Sequence, residues 1–331
     1  MPAEWAPHAS TWLAWPSHPA LWGEHLGPAR AAFAELVAAI AVGETAEVLV
    51  PDEAQEGLAR AALPERGVRF HRVPFGDIWL RDTAPIFVTD AAGRVATVDF
   101  AWNGWGGKYL LEHDADVATR IAGLVSLRSF GRPFVLEGGA VEVDGEGTLL
   151  TTRQCLLSPS RNGPVDERDV EAELRESLGA ERVLWFGDGL LNDHTDGHVD
   201  TLVRFVRPGV VLAMEPASRE DPNHDVLHAA IRRATELRDA RGRSLEVVRI
   251  PSPGLVTDGE GRVMPASYAN FYLSNACVVV PTYGVASDEE AVERVGALFP
   301  GRRAVGIPAR AILTGGGAFH CITQQQPTGT S

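Results

Sequence analysis

One cysteine, one histidine and three acidic side chains stand out because each sits in a short motif rich in glycine or turn-forming residues. Cys321 closes GGGAFHC (315 to 321), His198 and Asp200 share NDHTDGHVD (192 to 200), Glu137 lies in VLEGG (135 to 139) and Asp82 in GDIWLRDTAP (76 to 85). A thiol becomes a strong nucleophile when a cation or a base draws it toward the thiolate, and an imidazole moves protons near neutral pH. Each residue also has a plainer reading. A lone cysteine is more often a small buried hydrophobe, which is how Cys155 in RQCLL and Cys277 in NACVVV are read. Asp82 follows Arg81 and could be its ion-pair partner, and a glutamate before two glycines is commonly a turn carboxylate. The position of Cys321 sharpens the question. Chain ends fray unless their side chains are needed inside, so a glycine-rich, cysteine-bearing tail suggests a segment that returns to the middle of the fold.

The elements that must hold these residues form a rhythm. IFVTDAAGRVATVDF (86 to 100), AVEVDGEGTLLTT (140 to 152), VDTLVRFVRPGVVLAM (199 to 214) and ANFYLSNACVVVPT (269 to 282) each read as two β-rich runs broken by a turn. A stretch of helical spacing follows each hairpin, and then a short apolar run such as RVLWF, LEVVRI or RAVGI. Four such units recur at roughly 55 to 70 residues with dissimilar sequences, a repeat of pattern rather than of residues. A fifth forms if the C-terminal FHCITQ pairs with the N-terminal STWLAWP, followed by ARAAFAELVAAIA and AEVLV, which closes a ring. The pattern by itself is equally compatible with a generic mixed α/β domain. In a ring, however, Asp82, Glu137, His198 with Asp200, and Cys321 all stand at the mouths of modules and converge on the axis.

Composition excludes several classes. The chain has 331 residues, 45% hydrophobic and 22% charged, enough for two domains or for one large domain over 1–331 with a large core. No stretch approaches the roughly 18 to 20 apolar residues of a membrane span, and MPAEWAPHAS lacks the marks of a signal peptide, so a cytoplasmic protein is expected. Three cysteines are too few and too far apart for a disulfide framework, and no His/Cys spacing matches a zinc site, so no metal is expected. A formal net charge of -14 argues against nucleic acid and leans toward cationic ligands. The oligomeric state is open, a homo-oligomer included.

MPAEWAPHASTWLAWP, WLRDTAP, NGWGGKY, LEGGAVEVDGEGTLLTT, CLLSPSRN, TDGHVDTLVRFVRPGVV, ASYANFYLSNACVVVP and GGGAFHCITQQQP occur in an order that resembles the agmatine deiminase family. That family belongs with the bacterial-type peptidyl-arginine deiminases to the pentein group. The resemblance implies a five-bladed α/β propeller of ββαβ modules and hydrolysis of agmatine to N-carbamoylputrescine and ammonia without a cofactor. It gives Cys321 the role of nucleophile and His198 that of general acid and base, with Glu137 orienting His198. Asp82 and Asp200 would grip opposite edges of the guanidinium, which carboxylates hold best because they accept its N–H donors in pairs. Trp79 and Trp105 would stack on the substrate, and Gly316 and Gly317 would let the backbone pass close to it. His320, next to Cys321, would lie on the opposite face of an extended strand and stay a packed residue.

Departures from the family pattern bear on the substrate's tail. Ala84 replaces a usual glycine, Ala318 and Phe319 replace asparagine and isoleucine, and the loop before Ser267 is short. Free or peptidyl arginine, methylated arginine and amidino transfer stay open as alternatives, as does a pentein binding factor without enzymatic activity. Arg81 is expected to point away from the guanidinium, leaving no cation for an arginine carboxylate.

Overall fold

A computed structural model describes residues 1–330. Five separate sheets carry the strands and form the blades of an α/β propeller. Four blades share one plan: an antiparallel pair, a helix, and a third strand parallel to the second. They are Ile86–Thr89, Val95–Ala101 and Arg128–Val135; Glu142–Val143, Thr148–Thr152 and Arg182–Phe186; Val203–Arg207, Val210–Glu215 and Glu246–Pro251; and Tyr272–Leu273, Cys277–Thr282 and Arg303–Pro308. The fifth blade joins the two ends of the chain. Gln324–Pro327 pairs antiparallel with His8–Ala14, Trp12 opposite Gln324, and Thr45–Val50 runs parallel beside it.

The crossover helices form where apolar residues recur every three or four positions. Glu167–Leu178 buries Val170, Leu174 and Leu178 along one stripe. Its ends are specified too. Asp166 and Asp169 build a reciprocal capping box, and Gly179 ends the helix in the left-handed conformation. In the next blade His224–Glu236 buries Leu227, Ala230, Ile231 and Ala234 on the same logic, each buried leucine or isoleucine contributing about 1.5–3 kcal/mol.

Two features depart from the sequence reading. The terminal blade has a fourth strand, Val68–Arg72, reached through a helix at Glu53–Ala62. VRFHR is a half-exposed edge strand rich in charge, so it lacks the apolar signal that marked the others. The second difference lies at the tail. Residues 319 to 322 form a turn, and the strand starts only at Gln324. FHCITQ is therefore not extended, and His320 and Cys321 are not placed on opposite faces by strand alternation. No helix among the described residues is long and apolar enough to cross a membrane.

Candidate active site

Each blade brings a short turn to the central axis just before its first strand. Leu80–Thr83 carries Asp82, Gly138–Ala140 follows Glu137, Val199–Thr201 follows His198 and carries Asp200, Asn270 precedes Tyr272–Leu273, and Cys321 precedes Gln324–Pro327. Hydrogen bonds stitch the turns together: Arg81 N–H donates to the Cys321 carbonyl at 3.1 Å, and Gly139 N–H to Asp82 Oδ1 at 3.0 Å. Gly139 marks where they meet. A Cβ there would stand 2.5 Å from His198 Nδ1 and 3.1 Å from both Asp200 Oδ2 and Asp82 Oδ1. Only a residue without a side chain lets an imidazole and two carboxylates approach one point.

Cys321 is held from the neighbouring blade. Asn270 accepts the N–H groups of His320 and Cys321 at its Oδ1, 3.2 and 3.4 Å away. That fixes which way the amide faces. Its Nδ2 then donates to Asp200 Oδ2 at 3.2 Å and lies 3.2 Å from Cys321 Sγ. Burial, Asp200 and Asp82 push the Cys321 thiol well above its ordinary range. The free thiol is therefore held in its protonated form.

The two aspartates differ. Burial, then Asp200 and Glu137, raise Asp82 well above the usual carboxylate range, although Trp105 Nε1 donates to it at 2.9 Å. Burial also opposes charge on Asp200, but the hydrogen bond from His320 and that residue's charge outweigh it and hold Asp200 below its ordinary value. Asp200 Oδ1 has no partner among the described residues. His198 lies 3.8 Å from Asp82 and is lowered by burial to about 3, so it is neutral near pH 7. Both of its ring nitrogens lack partners among the described residues. Its backbone is fixed instead, the N–H donating to Asp193 Oδ2 at 3.1 Å.

Glu137, expected to orient His198, accepts no hydrogen bond from its ring. Arg161 takes Glu137 Oε1 at 2.7 Å, a fully buried pair, and leaves Oε2 free. A Glu137 oxygen, the Cys155 sulfur and a His198 nitrogen still lie within 4.8 Å of one another. This trio and a second, Glu4, Glu142 and His320, have metal-type ligands. Each trio joins two blades and draws its members from distant parts of the chain, which is why sequence spacing does not show them. In both trios arginines already engage the carboxylates, Arg161 in the first and Arg204 in the second.

A cavity of about 260 Å³ leads to Asp82 and Cys321, and its walls include Trp79, Trp105, Gly316 and Gly317. A Cβ on Gly317 would lie 2.9 Å from Cys321 Sγ and from Trp79, so the wall there is backbone. Trp79 donates to Asp77 at 2.8 Å and stacks on Trp22. Trp105 reaches Asp82 because NGWGG folds into a left-handed turn: Gly104, Trp105, Gly106 and Gly107 have φ of 67°, 53°, 79° and 85°. For a tryptophan that conformation costs roughly 1–2 kcal/mol, which the indole hydrogen bond offsets. A larger hollow of about 770 Å³, which includes Glu35 and Arg310, meets this cavity only at Thr314 and holds none of the motif residues.

Residues 1–327 match the model of the Porphyromonas-type peptidyl-arginine deiminases. The chain belongs to that family. It is 41% identical to the agmatine deiminase of Ectopseudomonas mendocina over 99% of this chain and 95% of that one, and 42% identical to that of Stutzerimonas stutzeri at the same coverage. Among solved structures, the agmatine deiminase of Enterococcus faecalis superposes with a TM-score of 0.94 at 34% identity, covering 99% of this chain and 95% of that one. A C. jejuni agmatine deiminase with a cysteine-to-serine substitution and substrate bound reaches 0.91 at 26% identity, covering 99% and 96%. The family's pentein fold accounts for the five blades.

Sequence reasoning had placed Asp82, Glu137, His198, Asp200 and Cys321 at module mouths, and the fold gathers all five. It missed Asn270, although ASYANFY occupies the equivalent position in its blade and the same rule could have found it. Arg161 and Glu4 lie in the quoted motifs CLLSPSRN and MPAEWAPHASTWLAWP, but nothing in either motif points to its partner.

Proposed function

We propose that this chain is an agmatine deiminase, hydrolysing a guanidine to a ureido group and ammonia through a covalent intermediate on Cys321. The observation that carries this reading is the meeting of two carboxylates and a neutral imidazole around Gly139, beside a thiol held by Asn270. Asp82 and Asp200 accept the guanidinium's N–H groups from two blades and leave its central carbon facing Cys321 Sγ. The cation stabilises the thiolate, and His198, neutral beforehand, takes the thiol proton.

The thiolate adds to the central carbon as the C=N π pair moves onto nitrogen. His198 returns its proton to one NH2 group, the C–N bond breaks, and ammonia leaves an amidino-thioether. His198, neutral again, removes a proton from water as the water oxygen bonds to the same carbon. Collapse breaks the C–S bond and forms the ureido carbonyl; the hydroxyl proton passes to the sulfur, and His198 gives up its proton to solvent, where it charges the released ammonia. The expected effect of Glu137 is indirect, its free oxygen supporting the protonated form of His198.

The tail assignment to agmatine is supported by walls that include Asp77 and Tyr109 and neither arginine nor lysine. The test is ammonia release from agmatine, arginine, a C-terminal arginyl peptide and methylated arginines. Agmatine should be turned over with the highest kcat/KM, and no ammonia from any of the four would overturn the reading.

A further inference from the structure

His320 is buried between two carboxylates. Its Nδ1 lies 2.7 Å from Asp200 Oδ2 and its Nε2 2.7 Å from Glu4 Oε2, a residue 316 positions away in sequence. A neutral imidazole has one N–H and one lone pair, so it can satisfy only one carboxylate. The other would set a lone pair against an anionic oxygen at hydrogen-bond distance. Neither carboxylate is placed to bring the missing proton. Glu4 accepts from Arg204 at 2.7 Å and from the Leu273 N–H at 2.8 Å, and lies 3.9 Å from Arg81.

We infer that His320 is a positioning residue held as an imidazolium between Asp200 and Glu4, and that through it Glu4 keeps Asp200 ionised before the guanidinium arrives. The inference rests on the proposed clamp role of Asp200. Burial opposes ionisation of Glu4, but Arg204 and His320 hold it far below the ordinary range.

The consequence is an asymmetric clamp. Asp200 Oδ2 is taken by His320 and Asn270, and its partnerless Oδ1 is left for substrate. Asp82 has no such cation in contact and charges only when substrate brings one. The short tail turn makes this possible by turning neighbouring residues to two tasks, the thiol of Cys321 toward the cavity and the ring of His320 toward the N-terminal segment.

The test reads protonation directly. Imidazole nitrogen resonances of labelled wild-type enzyme, with His320 assigned through its own backbone, are followed across about pH 5 to 8, where an ordinary histidine loses its charge. Groups facing His320 in this titration are Asp200, Glu4, Arg204, Arg81, Glu142 and His198. His320 should show two protonated nitrogens throughout, and in Glu4→Gln it should lose its charge at lower pH than in wild type. A neutral His320 near pH 7, or the same titration in both proteins, overturns the inference. A second arm measures agmatine affinity on a Cys321→Ala background. His320→Gln, which leaves the buried Asp200 carboxyl without a cationic partner, should weaken binding at least tenfold near neutral pH. Unchanged affinity overturns it too. Failure of Cys321→Ala protein to bind agmatine counts against the proposed function instead, and the resonance measurement still decides the state of His320.

Discussion

The side-chain nitrogen of Asn270 stands 3.2 Å from the sulfur of Cys321, on an amide whose oxygen is tied down by two backbone N–H groups. A donor fixed in advance at the atom that becomes a thiolate costs no reorganisation when charge develops. Replacing Asn270 by Ala should therefore lower kcat/KM by about 10²–10³, the usual loss for one preorganised donor. Alkylation of Cys321 by iodoacetamide should require higher pH in the variant. A variant that reacts and turns over like wild type would remove Asn270 from the site.

Cys321→Ala should abolish turnover while retaining guanidine binding. Cys155 and Cys277 are fully buried, so their replacement should act through stability. His198→Ala keeps the thiol but impairs hydrolysis, and a covalent adduct should be visible by intact mass after mixing with agmatine. Substantial turnover by Cys321→Ala would dismiss the covalent route.

Asp82 gives a prediction in pH. Its carboxyl is held above the ordinary range, so at pH values where a free aspartate is ionised it remains protonated in the unliganded enzyme. A guanidinium favours the ionised form. Binding therefore releases a proton, and affinity rises with pH until it levels off above the free-enzyme pKa. Calorimetry of agmatine binding to the Cys321→Ala protein in two buffers of different ionisation enthalpy measures the release, which Asp82→Asn should abolish. Equal heats in the two buffers would mean that Asp82 is already charged.

The turn that carries Trp105 offers a mechanical test. A Cβ on Gly104 would collide with the Tyr109 backbone, and φ there is +67°. Gly104→Ala should displace the loop, pull Trp105 from Asp82, and raise KM more than it lowers kcat. Trp105→Phe keeps an aromatic face but removes the N–H, so a loss of about 1–3 kcal/mol in kcat/KM is expected from the hydrogen bond to a carboxylate. Wild-type kinetics in both variants would leave the loop without a role.

Sequence and structure agree most where the signal is local. Hairpin, helix and strand follow one another within each blade, so turn residues and apolar periodicity suffice to mark them. Val68–Arg72 escapes because a short edge strand with basic residues at three of five positions has too little apolar content to stand out. The tail was misread for a related reason: apolar Phe319 and Ile322 are core residues contributed by a turn, and apolar content alone suggested a strand. In the site, Asp82, Glu137, His198, Asp200 and Cys321 were legible because each sits in a compact motif at the same place in its module. Partnerships across the ring were not. Arg161 with Glu137, and Glu4 with His320, are set by how blades pack, and nothing near either arginine or glutamate announces its partner.

The substrate's far end is the last matter. Agmatine ends in an ammonium, whereas arginine adds a carboxylate that needs a cation or several N–H donors. Arg81 turns away from the cavity, donating to the His320 carbonyl and to Gln325. Arg161 stands behind the wall, but its donors are spent on Glu137, Asp196 and the Thr195 carbonyl. Lys108 pairs with Asp196 and the His194 carbonyl. What faces the cavity is Asp77, aromatic rings and His194. A carboxylate placed there would meet an acidic residue and no free guanidinium or ammonium, whereas an ammonium would find an acceptor and aromatic faces worth about 0.5–2 kcal/mol. Agmatine should therefore exceed arginine in kcat/KM by at least tenfold, with the difference mainly in KM. Asp77→Asn should reduce that preference by lowering agmatine turnover while leaving arginine little changed. Equal kcat/KM for the two substrates in the wild-type enzyme would place the tail's recognition somewhere other than this wall.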